Sequence, residues 1–563
     1  MKAENLRGPS SSAFESLLRY LEWATDAARM LRSQLVLFLP ASNGVPNEVT
    51  HLGIRRTRGR PSSDPVLRHE ENQSKAVVMS VVCPDVRREA FAEASRFRAE
   101  FYECLTARRD EMFELADALL CADGPVTSPV DLTMVPEHRR GHGTLYGALN
   151  RGRIDVERLR TLLAGLPLPR FEGGRLVLAV DVSPWLRSDA PCSADRLFCH
   201  VYGRAKSASQ FIPGWPYSFV AVLEPGATSW TSILDVVRLG PEDDATAITA
   251  TQLRAVTERL ISAGQWVPGD PDITIVMDAG YDVTRLAWVL RDLPVELVGR
   301  IRSDRVMRLP KPSLKEYALA YPQGGRPPKH GKEFRFAKPE TWPEAAITTI
   351  TDTTNYGKAE AQAWDRVHPR LTHRSAWLEH DGELPIVEGT LVRLKVEHLS
   401  KEREAPPVWL WSSKTGATPA DVDLWWQVFL RRFDLEYTFR FGKQILGWTT
   451  PKVRTPEAAD RWTWLVVVAH TQLRLARPLA ADLRRPWEKP TKPERLTPAR
   501  VRRGFRNIRA HLLCPARVPQ PRGAGPGRPP GTKNRHPAPL YDVGKTVKRP
   551  ETLKAIGRPG RSW

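Results

Sequence analysis

The stretch Leu176-Val177-Leu178-Ala179-Val180-Asp181 decides how this chain folds. An unbroken apolar run rich in strand formers reads as a strand buried on both faces, and here it ends on a carboxylate. The pattern returns as Ile273-Thr274-Ile275-Val276-Met277, again ended by an acid, Asp278. Between the two runs lie strand candidates over 217–223 and 230–239 and a helical pattern over 245–262. After them come a short helix over 283–290 and a strand over 295–301.

Three strands, helix, strand, helix, strand is the order of a ribonuclease-H-like α/β fold, a mixed sheet flanked by helices. The first part of this core spans 171–305. Residues 306–415 interrupt it. Pro and Gly clusters such as Gly324-Gly325-Arg326-Pro327-Pro328 alternate there with strand-like runs such as Thr390-Leu391-Val392-Arg393-Leu394. So long a stretch is no plain loop, and it predicts a β-rich insertion domain. The core resumes over 416–483, with a helix from about 419 to 440 and an apolar helix over 456–477. Ahead of the core, 79–170 reads as a helical domain. Phe91, Phe97, Phe101, Leu105, Phe113, Leu115 and Leu119 recur at helical spacing, and a second helix covers 144–166. Residues 1–78 predict an amphipathic helix over 14–39 and then a poorly ordered, turn-rich stretch, with Met79 as an alternative start.

A chain of 563 residues is too long for one ordinary core. Its apolar runs stay well short of the ~18 residues of a membrane span, and it opens without a secretory pattern, so a cytoplasmic protein is expected. Six cysteines without a Cys-x-x-Cys pair argue against a zinc ribbon or a disulfide framework, and Cys192, Cys199 and His200 lack a second ligand pair. The net charge of +20 is focused: residues 484–563 hold 21 Lys or Arg against four acids, and the remainder is nearly balanced. Each phosphate contact needs a base, so this Pro-rich tail reads as a DNA-binding segment, whereas a solubilising tail could equally be acidic. Thr497-Pro498 starts a helix in it that carries Arg500, Arg502, Arg503, Arg506 and Arg509, a phosphate-tracking face. Gly-Arg-Pro occurs at Gly59, Gly325, Gly527 and Gly557, and Arg58-Gly59-Arg60-Pro61 has the core of an AT-hook, suited to a minor groove.

Asp181 and Asp278 end neighbouring strands, where open α/β sheets place their ligand crevices. Each alone could be a turn-starter, but together they form a like-charged pair that is costly to bury without a cation. A third acid comes from helical geometry. Phe429, Arg432, Glu436 and Lys443 are spaced three, four and seven apart, within about a 60° arc of one helix face at ~100° per residue. The bland alternative is an i,i+4 ion pair between Arg432 and Glu436. Gly442, a poor helix former, weakens the geometric case for Lys443.

That spacing resembles the tyrosine-arginine-glutamate-lysine signature of bacterial insertion-sequence transposases of the DDE type, the IS4/IS701-like group, with Phe429 in place of tyrosine. The likeness extends to Leu178-Ala179-Val180-Asp181, Asp278-Ala279-Gly280-Tyr281-Asp282, Gly299-Arg300-Ile301-Arg302-Ser303-Asp304-Arg305 and Gln472-Leu473-Arg474-Leu475, and covers roughly 84–550. It implies that Asp181, Asp278 and Glu436 are catalytic and hold two Mg²⁺ ions, with Mn²⁺ able to substitute. It implies that Arg432 and Lys443 hold DNA phosphates near the cut and that Phe429 contacts the same strand by stacking. Arg300 and Arg302 join the expected DNA contacts, as do Arg502, Arg503 and Arg506 of the tail. The expected partners are double-stranded DNA, as terminal inverted repeats and target, and a second copy of the chain in a synaptic homodimer near the nucleoid. The alternatives are another ribonuclease-H-like nuclease and a silent relative that only binds DNA.

Overall fold

The computed structural model describes residues 84–548 apart from 142, 202–209, 227, 354–355, 372–381, 399–405, 521–536, 542 and 544–546. The extension 1–78, with its expected helix and AT-hook, and the tripeptides at Gly527 and Gly557 lie outside these residues.

Helices α1 (Pro84–Cys104) and α2 (Arg109–Cys121) take up the Phe- and Leu-rich stretch. A three-residue strand, β1 (Leu105–Ala107), separates them, and Arg108 turns the chain left-handed at φ 54°. The single helix expected over 144–166 is two, α3 (Gly143–Arg151) and α4 (Val156–Ala164). Between them β2 (Arg153–Ile154) pairs with β1, and Asp155 caps α4 by accepting the Arg158 N–H at 3.0 Å.

The sheet opens with β3 (Val177–Leu186), β4 (Leu197–Val201), β5 (Gln210–Leu223) and β6 (Thr231–Arg238). Helix α5 (Ala245–Ser262) leads to β7 (Ile273–Met277), and α6 (Val283–Val289) leads to β8 (Val295–Arg300). Across the sheet the order is β6-β5-β3-β7-β8. Strands β3, β5 and β6 are antiparallel neighbours, while β7 and β8 run parallel to β3. Strand β3 does not stop at Asp181 as the apolar run suggests. It continues against β5 to Leu186, because Trp185 and Trp215 pack edge to face at 5.9 Å across the two strands. Gly214 permits that approach, since a Cβ there would lie 2.5 Å from the Trp185 carbonyl oxygen. The hairpin of β4 with β5 escaped the sequence reading. Its Phe198 is exposed, so the strand lacks a clean apolar pattern.

Residues 306–415 supply β9 (Val306–Arg308), α7 (Leu314–Ala320), β10 (Glu333–Arg335), β11 (Ile347–Thr353), β12 (Gly357–Pro369), β13 (Gly389–Val396) and β14 (Val408–Ser412). Strand β14 pairs with β8, and β13, β12 and β11 follow it, so this stretch prolongs the main sheet.

Side-chain alternation divides the interior in two. On one face α5 and α6 bury Leu253, Val256 and Leu286 against Leu178, Val180 and Met277. The other face is covered by α8 (Pro419–Arg431), α9 (Phe433–Gln444) and α10 (Pro456–Ala476). They bury Trp425, Phe429, Leu435, Phe439 and Trp462 against Val177, Ala179, Phe219 and Val276. A fully buried side chain of this size contributes about 1.5–3 kcal/mol. Helices α1 and α2 pack on α10, and so does α11 (Pro498–Arg509), which adds Val501, Phe505 and Ile508 to the same core. Among the described residues no helix is long and apolar enough to cross a membrane.

Candidate active site

The parallel register of β3 and β7 sets Ala179 beside Val276, so two places further on Asp181 stands level with Asp278. Asp181 lies mid-strand, at the point where β3 runs on past the end of β7. Across β5 it pairs with Phe219, which meets Phe439 of α9 at 5.0 Å, so its side chain belongs to the face that α9 covers. Asp181 is buried, and its Oδ1 accepts the Val182 N–H at 2.8 Å. Half-buried Asp278 accepts the Gly280 N–H at 2.8 Å, which fixes the turn after β7.

A capping box of Thr418 and Asp421, with Pro419 in the first turn, starts α8. The continuous helix expected over 419–440 is broken at Arg432. There the Arg432 N–H bonds the Phe429 carbonyl at 3.2 Å and the Leu435 N–H bonds the Arg432 carbonyl at 3.1 Å, the tighter spacing of a 3₁₀ turn. Helix α9 then passes through Gly442, so Lys443 is helical after all. Buried Arg432 turns toward the sheet, and its Nη1 donates to Asp181 Oδ2 at 2.6 Å. The guanidinium lies 4.9 Å from the ring centre of Phe433 and 5.8 Å from that of Phe429. Phe429 is only 4% exposed, so its ring forms a bed for Arg432, and the expected stacking on a base has no surface there.

Burial pushes the Asp181 carboxyl well above the usual carboxylate range. Arg432 pulls it down, while Glu436 and Asp278 push it further up. Burial also opposes the charge on Arg432, but Asp181, Asp278 and Glu436 outweigh it and hold the guanidinium above its ordinary value. The three acids singled out from sequence therefore share one field, with a side chain of the protein as its cation. Tyr281, in the turn that holds Asp278, adds to that field and had been given no role. Burial lowers the Lys443 ammonium to about 8 against the pull of Glu436 and Cys199, and its Nζ lies 5.4 Å from the Trp448 ring centre.

Three carboxylates offer the oxygen donors that a hard divalent cation takes. As they stand, Asp181 has one oxygen on Val182 and the other on Arg432. Among the described residues no group of three or more His, Cys, Asp or Glu is arranged to hold a metal ion. The donor chemistry fits a divalent cation on condition that Arg432 releases Asp181.

The remaining expected DNA contacts separate. Met277 pairs with Gly299, so Arg300 stands level with Asp278, and it pairs on its other side with Leu410, a residue of the core beneath α8 and α9. Arg300 thus shares the face of the aspartates. The opposite face is closed by α6, for a Cβ on Gly299 would come within 2.7 Å of Val283. Arg302 turns to its neighbour Asp304, Nε to Oδ1 3.1 Å. In the tail helix each arginine of the expected phosphate face also has a partner within the chain. Arg502 is buried and donates to the carbonyls of Leu119 and Gly124, at 2.9 and 2.7 Å. Arg500 pairs with Asp482, Arg503 with Glu488, Arg506 with Glu137 and Arg509 with Asp117. The apolar edge of α11 seats the helix on α2 and α10, which brings Arg509 to Asp117 and Arg502 to the helix-end carbonyl of Leu119 in α2, while Asp482, Glu488 and Glu137 come from the segments around it.

Residues 100–370, a little under half of the chain, match a family model described as DDE superfamily endonuclease. The matched span contains Asp181 and Asp278 and ends before Glu436. It supports a DDE-type family, a nuclease-like enzyme and a DNA substrate. No curated protein matches the chain.

Proposed function

We propose that the chain is a DDE transposase of the IS4/IS701-like kind, which cuts the ends of an insertion sequence and joins the freed 3′ ends to target DNA. The observation that carries this reading is geometric: the strand register sets Asp181 level with Asp278, and Arg432, one helical turn before Glu436, bonds Asp181 at 2.6 Å. The strand order β6-β5-β3-β7-β8, with its antiparallel and parallel halves, favours a ribonuclease-H-like core, and the family match spans the first two acids.

In this reading Asp181, Asp278 and Glu436 hold Mg²⁺, for which Mn²⁺ can substitute, and the metal supplies an activated water and stabilisation of the leaving oxygen. Arg300, Arg432 and Lys443 hold phosphates of the strand to be cut. Water attacks phosphorus at the element end, and the 3′ oxygen leaves and takes up a proton. The freed 3′-hydroxyl then attacks a target phosphate, losing its proton as the target's own 3′ oxygen departs. Joining two ends in one event calls for two copies of the chain.

Labelled duplexes carrying the DNA that flanks the coding region test this. Nicking by the wild-type chain in Mg²⁺, lost in Glu436→Ala and Asp181→Asn, is the expected result; no nicking by the wild type sinks it. A silent, DNA-binding relative is the second reading, favoured by the bond that Arg432 makes to Asp181. It predicts binding to the same duplexes without cleavage.

A further inference from the structure

Arg432 is unusual among the charged groups of the site in three ways. Its Nη1 takes Asp181 Oδ2, the oxygen not held by the Val182 N–H, its buried Nε has no hydrogen-bond partner, and its backbone sits at the 3₁₀ break between α8 and α9. A buried guanidinium with an unused donor is held less firmly than its charge suggests. A short 3₁₀ segment within a helix is also where a chain commonly flexes. Acids that repel one another are relieved by a proton or a cation, and a guanidinium and a divalent cation drawn to the same carboxylate oxygen repel each other.

We propose that Arg432 makes metal loading depend on DNA: its guanidinium and a divalent cation compete for Asp181, and an arriving phosphodiester draws Arg432 away and so opens the acids to metal. This rests on the reading of Asp181, Asp278 and Glu436 as metal ligands. A phosphodiester is the suitable anion because it accepts the guanidinium's paired N–H groups, including the unused Nε. Binding of DNA and of metal then strengthen one another, and the strengthening is reciprocal. The protein without DNA keeps its acids neutralised and its metal site weak, which limits stray cleavage.

The test is Mn²⁺ affinity of the full chain, measured by the loss of the free-ion EPR signal, with and without a short DNA duplex. Asp181→Asn under the same conditions corrects for Mn²⁺ held by the duplex itself. The expected results are that the duplex tightens Mn²⁺ binding to the wild type by about tenfold, within the usual range of such coupling. Arg432→Gln binds Mn²⁺ about tenfold more tightly than wild type without DNA and gains nothing from the duplex. Should Arg432→Gln fail to fold, as judged by circular dichroism, the wild type alone decides. Equal Mn²⁺ affinity with and without duplex, lost in Asp181→Asn, overturns the coupling but leaves the metal reading intact. No protein-dependent Mn²⁺ binding under any condition overturns both.

Discussion

Two buried arginine–aspartate pairs, one among the helices around α10 and one against the sheet, are built to different ends. In the helical layer Arg98, fully buried, grips Asp117 with both amino groups at 2.6 and 2.9 Å, and its remaining donors reach Gln472 at 2.6 Å and the Leu513 carbonyl at 2.7 Å. Asp117 takes a further bond from Arg509 at 3.0 Å. Against the sheet Arg432 holds Asp181 by one amino group, leaves Nε unpaired, and lies in the field of two further acids, Asp278 and Glu436. The difference teaches that burial of a charge does not by itself tell its purpose. A saturated pair fixes elements together, while an unsaturated one retains the capacity to change partners.

The sharpest way to break this contrast is to remove Arg98. Arg98→Met leaves Asp117 and Gln472 buried with fewer partners, and urea unfolding should show a loss of about 3–5 kcal/mol that no added metal repairs. A loss below about 1 kcal/mol erases the distinction. His470 extends the comparison to a buried group whose charged neighbour, Arg474, carries the sign of its own protonated form. Its ring nitrogens have no hydrogen bond, it packs beside Trp230 and Phe441, and burial lowers it to about 3. The folded value lies below the unfolded one of roughly 6.5, so the stability it permits is complete above that pH and is lost as pH falls toward 3, by about 1.4 kcal/mol per unit. His470→Leu should flatten that part of the stability profile; an unchanged slope means that other groups govern it.

Arg432→Met should cost less, about 1–3 kcal/mol without divalent metal, because carboxylates left unpaired can take up protons. Thermal melts in millimolar Mg²⁺ should recover part of the loss, in contrast to Arg98→Met. Identical behaviour of the two variants counts against a metal site at the acids. The smallest effect is expected at α11. Arg503→Gln removes a surface ion pair with Glu488, and it should change stability by less than about 0.5 kcal/mol and leave the salt dependence of DNA binding in place. A salt slope lower by about one restores Arg503 as a phosphate contact.

Much of the sheet was legible because its strands advertise themselves. The run over Val177 to Val180 and the whole of β7 are buried on both faces, and only a strand between two helical layers needs that pattern. The helix limits of α5 could be read directly, since Asp244 caps its start by accepting from Thr246 and Ala247. Distant contacts account for what was missed. The extension of β3 past Asp181 depends on Trp185 meeting Trp215, thirty places along the chain, and no local pattern carries that. The break at Arg432 likewise coincides with its bond to Asp181, across 251 residues, in a segment whose periodicity alone asks for one helix. The partners of charged groups are hidden for the same reason. The arginines of α11 look like a basic stripe until Asp117, Glu137 and the helix-end carbonyl of Leu119 are seen beneath them.

The bond from Arg98 to the Leu513 carbonyl joins residues 415 places apart. During synthesis at ~5–20 residues per second, α1 and α2 therefore emerge roughly 20–80 s before the segment that completes their packing. Throughout that interval Arg98 and Asp117 have each other but not Gln472, Arg509 or Leu513, and the part of α2 that α10 and α11 cover stays open. The segment from Gln472 to Leu513 thus acts on α1 and α2 as a late-arriving clasp, and ribosome-bound chains halted before α11 should be the ones that proteases and chaperones find.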